Sequence, residues 1–203
     1  MYSHRKGFLL GFHGCDRSIR DKIVSEKGVI LQPSINDYDW LGNGCYFWEN
    51  SPSRAMEYAY FLQKERKKIE EPAVLGCVID LGLCFDLTDF QNLEYLKDAY
   101  DLLTDITIKQ GNSLPQNKTA LKNNTDFLLR YLDCAVIETA LNFFKQKYNL
   151  DYDSVRGVFF EGEELYPNAG FKSKNHIQIA IRNQNCIKGY FIPRELDYNF
   201  KKI

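Results

Sequence analysis

Residues 42–58, GNGCYFWENSPSRAMEY, bend and then turn helical. Gly42 and Gly44 let the chain turn sharply and leave space beside Tyr46. Cys45–Trp48 reads as a short strand or a turn. Ser51-Pro52 then opens a helix, with serine as N-cap and proline at the first helical position. The helix is expected to run to about Glu71, before Pro72. Upstream, residues 7–13 (GFLLGFH) form a compact apolar run that suits a buried strand. Residues 16–27 place Ile19, Ile23 and Val24 on one helical face, with Gly28 as C-cap. Residues 32–44 carry Pro, Asn, Asp and Gly without periodicity and predict a loop. Downstream, residues 73–85 (AVLGCVIDLGLCF) predict a central strand. Val74, Val78 and Ile79 supply β-propensity there, and Gly82 permits a bulge or a close approach.

The texture changes between 86 and 150. Residues 90–108 and 125–148 have helical spacing, with Leu128, Leu132, Ala135, Val136 and Leu141 forming a stripe. A polar connection (QGNSLPQNKTALKNN) separates them. Strands resume at 155–161, 176–182 and 186–192. The loop at 162–175 is long enough to be functional. The order β-α-loop-β-α-β-(helices)-β-β-β is that of an α+β fold, not an alternating parallel sheet. The 203 residues suit one domain, 1–203, with a mainly helical insertion at about 86–150.

Composition narrows the function. A net charge of −1 advertises no global field for nucleic acid, though it leaves room for a local basic patch. Aromatics make up 14 % of the chain, enough for an aromatic-lined pocket besides a core. Six cysteines lack CxxC spacing and nearby histidines, so they predict buried apolar residues in a reduced, cytoplasmic protein without a metal. Cys77 and Cys84 are expected on or beside one strand and Cys134 in a helix. The apolar run near the start is too short for a signal peptide, and no stretch reaches membrane-spanning length.

Two motifs carry chemistry. Phe12-His13-Gly14-Cys15 ends an early strand. A histidine ring nitrogen can meet a ribose hydroxyl, and the adjacent glycine lets its backbone approach a flat ligand and pair with a carboxamide. A histidine in this position is also commonly structural. Gly42-Asn43-Gly44-Cys45-Tyr46-Phe47, with Tyr58 on the following helix, offers two aromatic faces for a planar cationic ring. The same residues equally suit a turn and two core tyrosines.

Taken in order, His-Gly, Gly-x-Gly-x-Tyr-Phe, the serine-led helix and Tyr58 resemble the poly-ADP-ribose polymerase and diphtheria-toxin branch of the ADP-ribosyltransferases. Val74–Gly82 resembles the strand that follows the tyrosine helix there. The likeness covers residues 7–85 well, 155–192 loosely and 86–150 not at all. The LDC (132–134), VRGVFFEG (155–162) and HIQI (176–179) segments also resemble an uncharacterised bacterial family, which implies no function.

The resemblance implies a split, mostly antiparallel β-sandwich core and NAD⁺ as substrate. His13 would bond the ribose beside nicotinamide, and Gly14 would hold the carboxamide. Tyr46 and Tyr58 would flank the ring. Ser51 or Ser53 would add a carboxamide contact, the register across Pro52 being open. The activity implied is cleavage of the nicotinamide–ribose bond and transfer of one ADP-ribose to a macromolecule, protein or nucleic acid. The loop 162–175 sits where the family positions its acceptor. Tyr166, Phe171, Lys172 and Lys174 there suit bases and phosphates, or a protein surface.

The chain departs from this pattern where the family places a catalytic glutamate on a late strand. The aligned residue is Gln178, which accepts the same hydrogen bond without charge. Either another carboxylate would supply the charge, Glu161 at the end of the preceding strand or Glu163 or Glu164 in the loop, or a transferase that adds one unit would draw on the acceptor for the rest. His176 shares a strand face with Gln178. Two other readings stand beside transfer. The chain would be an NAD⁺ glycohydrolase or a non-catalytic NAD⁺-binding module, or else a protein-interaction domain using 86–150 as its partner surface.

Overall fold

β1 (Leu9–Asp16) runs through the sheet and brings the early His-Gly motif with it. The computed structural model describes residues 7–119 and 126–201. The elements that follow are α1 (Arg17–Ser25), β2 (Cys45–Glu49), α2 (Pro52–Lys64), β3 (Pro72–Ile79) and β4 (Cys84–Asp86). Next come α3 (Phe90–Lys109), α4 (Tyr131–Tyr148), β5 (Ser154–Phe159), β6 (His176–Ile181) and β7 (Ile187–Phe191). Among the described residues, the seven strands join one hydrogen-bonded sheet in the order β4-β5-β6-β2-β1-β3-β7. Every neighbouring pair is antiparallel except β4 with β5. The fold is therefore α+β and mostly antiparallel.

Several boundaries differ from the sequence reading. α2 stops at Lys64 instead of Glu71. The run 73–85 is two strands, because Gly82 takes a φ of +59° and the Asp153 carboxylate occupies the space where a Cβ would stand. Asp153 also accepts from the Leu83 N–H at 2.8 Å, which fixes the turn. Cys77 and Cys84 consequently lie on different strands near opposite ends of the sheet. α4 begins at Tyr131, not 125, a residue outside those described. α1 is capped by Asp16, whose carboxylate accepts from the Ser18 N–H at 2.9 Å, and it ends at Ser25 with Glu26 rather than Gly28 as cap. The same carboxylate accepts from the N–H groups of Glu70 and Glu71, so the start of α1 is tied to the entry of β3.

Strand alternation divides the buried residues between two faces. His13, Phe47, Leu75 and Ile179 lie on one face, over which Ile23 of α1 packs. Phe12, Gly14, Tyr46, Trp48, Val74, His176 and Gln178 lie on the other. On this second face α2 packs Ala55 against Phe12, Trp48 and Val74. Farther along it, α3 and α4 pack against Phe85, Val155 and Ala180. Tyr46, Trp48 and Gln178 thus stand between the helix of the early motif and the helical segment. All six cysteines are buried. Burial pushes the thiols of Cys15, Cys134 and Cys186 up to about 11 and that of Cys77 up to about 12, so none of these four is poised as a nucleophile. Among the described residues no helix is long and apolar enough to cross a membrane.

Gly14 is the point where α2 touches β1. A Cβ on it would collide with the Ala55 carbonyl oxygen and lie 3.1 Å from the Ala59 nitrogen. Gly14→Ala should therefore destabilise the protein by about 1–3 kcal/mol. Urea unfolding measures this, and an unchanged midpoint would mean that α2 does not rest on β1 so closely.

Candidate functional site

The ladder between β1 and β2 contains the pairs Gly11↔Glu49 and Phe12↔Trp48. The Leu10 carbonyl accepts from the Asn50 N–H, so even-numbered residues of β1 turn their backbone groups toward β2. Gly14 would be the next to bond, opposite Tyr46, but the ladder has ended. The His13 imidazole takes the place of that bond, with Nδ1 2.8 Å from the Tyr46 carbonyl oxygen. A carbonyl only accepts, so Nδ1 carries the proton and Nε2 is left as an acceptor. Burial lowers the His13 pKa, which keeps the ring neutral. The Gly14 N–H and C=O face the resulting gap. The glycine is itself buried: its α-carbon admits α2, and its backbone lies where the ladder has ended.

Tyr46 is held by its hydroxyl, which donates to the Gly42 carbonyl at 2.6 Å and accepts from the Leu41 N–H at 2.8 Å. Burial raises its pKa well above the ordinary phenol value. This fixes the loop that precedes β2 over the Tyr46 ring. Tyr58 packs against Trp48, ring centres 5.1 Å apart, and against Phe61 at 6.1 Å. Tyr46 and Trp48 share a strand face, but Tyr46 packs into the cluster of Leu41, Val136 and Ala180, whereas Tyr58 packs with Trp48 into that of Phe12 and Val74. The His13 ring instead leans edge-on toward Phe47 on the opposite face, 6.0 Å between centres. Ser51 occupies the N-cap position of α2, yet its side chain makes no cap bond. Ser53 is exposed.

Gln178 is buried directly opposite Trp48. His176, two residues earlier on the same face, has a side chain only 1 % exposed. Its ring lies 6.2 Å from Trp48, 6.1 Å from Trp40 and 5.6 Å from Phe159. Burial pushes its pKa down to about 4. Nδ1 donates to the Lys174 carbonyl at 2.6 Å, leaving Nε2 as an acceptor. Glu161 is buried beyond the end of β5, and one oxygen lies 2.5 Å from Arg54 Nη2 and 3.9 Å from His176 Nδ1. Arg54 also pairs with Glu57 one helical turn on and lies 5.4 Å over the Trp48 ring. Of the three carboxylates suggested by the sequence, Glu161 alone is buried, whereas Glu163 and Glu164 face solvent.

Residues 161–175 fold back as an arm. Leu165 N–H donates to Phe171, and Ser173 N–H to Glu163. Leu165, Tyr166 and Phe171 are exposed on it, and Lys174 joins Glu57 of α2 at 2.8 Å. Separately, a cavity of about 570 Å³ opens between α3 and α4, lined by Tyr95, Leu102, Phe143, Phe144 and Tyr148. It lies within 86–150, away from the strand gap. Among the described residues no group of three or more His, Cys, Asp or Glu is placed to hold a metal ion.

The sequence reading did not single out Arg54, Trp48 or Trp40. Arg54 had a signal, because it precedes Tyr58 by one helical turn and shares its face. The tryptophans had another: the chain contains only two, and both pack on His176.

The chain is similar to the uncharacterized protein MJ0359 of Methanocaldococcus jannaschii, with 26 % identity over 197 residues. The match covers 87 % of this chain and 83 % of that protein. No protein-family model and no solved structure matches the chain.

The buried pair makes one testable claim. Arg54→Met strands the Glu161 carboxylate and should cost about 3 kcal/mol in urea unfolding, most of it regained in Arg54→Met/Glu161→Met. Equal losses in both variants would show that Glu161 is solvated. The imidazole makes another. Below pH 6.5 an unfolded histidine binds a proton that buried His176 refuses until about pH 4. Stability should therefore fall as pH drops through this window, by up to about 3 kcal/mol from this residue. His176→Phe should flatten the slope. An unaltered slope would mean the ring titrates as in water.

Proposed function

We propose that the chain binds NAD⁺ at the end of the β1/β2 ladder and acts as a mono-ADP-ribosyltransferase. The observation that carries this reading is the gap itself. His13 Nδ1 replaces the missing ladder bond to Tyr46, while the Gly14 backbone faces the opening. In this reading the Gly14 N–H and C=O pair with the carboxamide of nicotinamide. His13 holds the Tyr46 carbonyl from the opposite face, so its part in this reading is to shape the gap rather than to reach a ribose that lies beside Glu161. Tyr46 and the Tyr58–Trp48 pair provide aromatic surface for the ring.

In the reaction the C1′–N bond breaks and its electron pair leaves with nicotinamide. Positive charge develops on the ribose. A nucleophile of the acceptor then forms the new bond to C1′ and releases its proton to water. Gln178 cannot balance the transient charge. Glu161, kept beside Arg54 in a buried setting, is the carboxylate suited to do so, because electrostatic stabilisation grows where water is excluded. The exposed aromatic residues and lysines of the arm would meet the acceptor, protein or nucleic acid.

One observation favours a second reading. Glu161 already has Arg54 as its counter-ion, which weakens the field it offers to a cation. Under that reading the chain binds NAD⁺ with slow hydrolysis or no turnover.

The test is incubation of the protein with NAD⁺ labelled in its adenylate half together with total cell extract. Transfer should release nicotinamide and label protein, RNA or DNA, and His13→Ala and Tyr46→Ala should abolish both signals. Glu161→Gln should slow release by about 10²-fold or more, the scale of losing one preplaced electrostatic group. Ligand-induced stabilisation without release supports the binding reading. Release unchanged in both the His13 and Tyr46 variants would remove the pocket from consideration.

A further inference from the structure

Among the described residues, three buried side-chain polar atoms have no hydrogen-bond partner: Trp48 Nε1, Arg54 Nε and His176 Nε2. They do not lie in three unrelated places. Trp48 packs on the His176 ring, and the Arg54 guanidinium lies over Trp48. Leaving a buried polar group unpaired is costly, and three together in one side-chain cluster call for a common partner.

Their chemistry restricts that partner. Trp48 Nε1 and Arg54 Nε only donate. His176 Nδ1 donates to the Lys174 carbonyl, so Nε2 only accepts. An anion such as phosphate would answer the two donors, but it would meet the Glu161 carboxylate and leave Nε2 unanswered. An ammonium would answer Nε2 alone. Hydroxyl groups both donate and accept. A carboxamide does so too, but the Gly14 backbone at the strand gap already offers one donor and one acceptor for that group.

We propose that Trp48, Arg54 and His176 form a subsite for the vicinal hydroxyls of a sugar, beside Glu161. The subsite extends the NAD⁺ reading by assigning the ribose a place on the Trp48 face of the sheet. It rests on that reading only for the identity of the molecule that carries the sugar. The Lys174–Glu57 pair ties the arm to α2, and Glu57 also pairs with Arg54 of the cluster. The subsite also gives Arg54 a second role, since one edge holds Glu161 while Nε donates to the ligand.

The experiment follows the indole N–H resonance of Trp48 in the full ¹⁵N-labelled chain, assigned by its loss in Trp48→Phe. The probes are NAD⁺, ribose 5-phosphate, 2-deoxyribose 5-phosphate and nicotinamide. NAD⁺ and ribose 5-phosphate should shift the resonance. The deoxy sugar should bind at least about tenfold more weakly, as expected when a buried polar group is left unanswered. His176→Phe should remove that discrimination, and the wild-type comparison stands even if this variant does not fold. A shift with ribose 5-phosphate but no binding of NAD⁺ supports the subsite and overturns the NAD⁺ reading. Binding of NAD⁺ with the indole unmoved, or with both sugars bound alike, overturns the subsite and leaves the NAD⁺ reading intact. A shift produced by nicotinamide alone overturns the subsite in favour of a carboxamide site. No binding by any probe overturns both.

Discussion

The bond from His13 Nδ1 to the Tyr46 carbonyl occupies the place where β1 and β2 stop pairing. A ladder bond at that point would have run from Gly14 to Tyr46 and zipped the sheet shut. Instead an imidazole joins the two strands, and the backbone of Gly14 is turned toward a gap. The opposite side of β1 continues its ladder with β3 from Leu9 to Asp16, so the strand is paired along the whole of one edge and only at Gly11 and Phe12 on the other. α2 then bears directly on Gly14, which admits the helix because it lacks a side chain. The gap, the helix and the aromatic residues of β2 are consequently set by one short stretch of chain.

Polar groups on the Trp48 face sit under aromatic cover. His176 is enclosed by Trp40, Trp48 and Phe159, and Arg130 stacks on Trp40 and Phe159 at 4.2 and 4.9 Å. Low local polarity strengthens the Arg54–Glu161 pair but makes each of its members expensive to leave alone. It also keeps both buried histidines neutral, so each offers a fixed donor and a fixed acceptor near neutral pH. A neutral imidazole with a defined tautomer is a directional partner for a hydroxyl.

Legibility differed from element to element for physical reasons. α3 and the three late strands follow their apolar spacing, because burial on one side imposes a period. The run 73–85 misled because its apolar residues continue through a turn, and the turn depends on Asp153, seventy-one positions beyond Gly82, as the Leu83 N–H bond to that carboxylate shows. α2 ends earlier than Pro72 requires, since the chain must straighten before it joins β3. Tyr46 and Tyr58 were identified by motif order, but the ring that meets Tyr58 is Trp48, which no local spacing indicates. Among three neighbouring glutamates, composition offered no preference. Glu161 alone is buried because, two residues beyond β5, it lies close enough to α2 to reach Arg54.

The His-Gly and Gly-x-Gly-x-Tyr-Phe motifs, the α+β order and the helical character of 86–150 were determined by the sequence alone, because each depends on local residue type and spacing. That His13 would join Tyr46 through a backbone carbonyl, and point to the opposite face from the Tyr46 ring, was decided by the pairing of strands. That Gly14 would serve α2 as well as a strand edge was decided by packing. The cluster of Trp48, Arg54, Glu161 and His176 draws on β2, α2, the end of β5 and β6. Its members are up to 128 positions apart, between Trp48 and His176, and a periodicity or a short motif cannot register a contact made only when the sheet brings distant strands side by side.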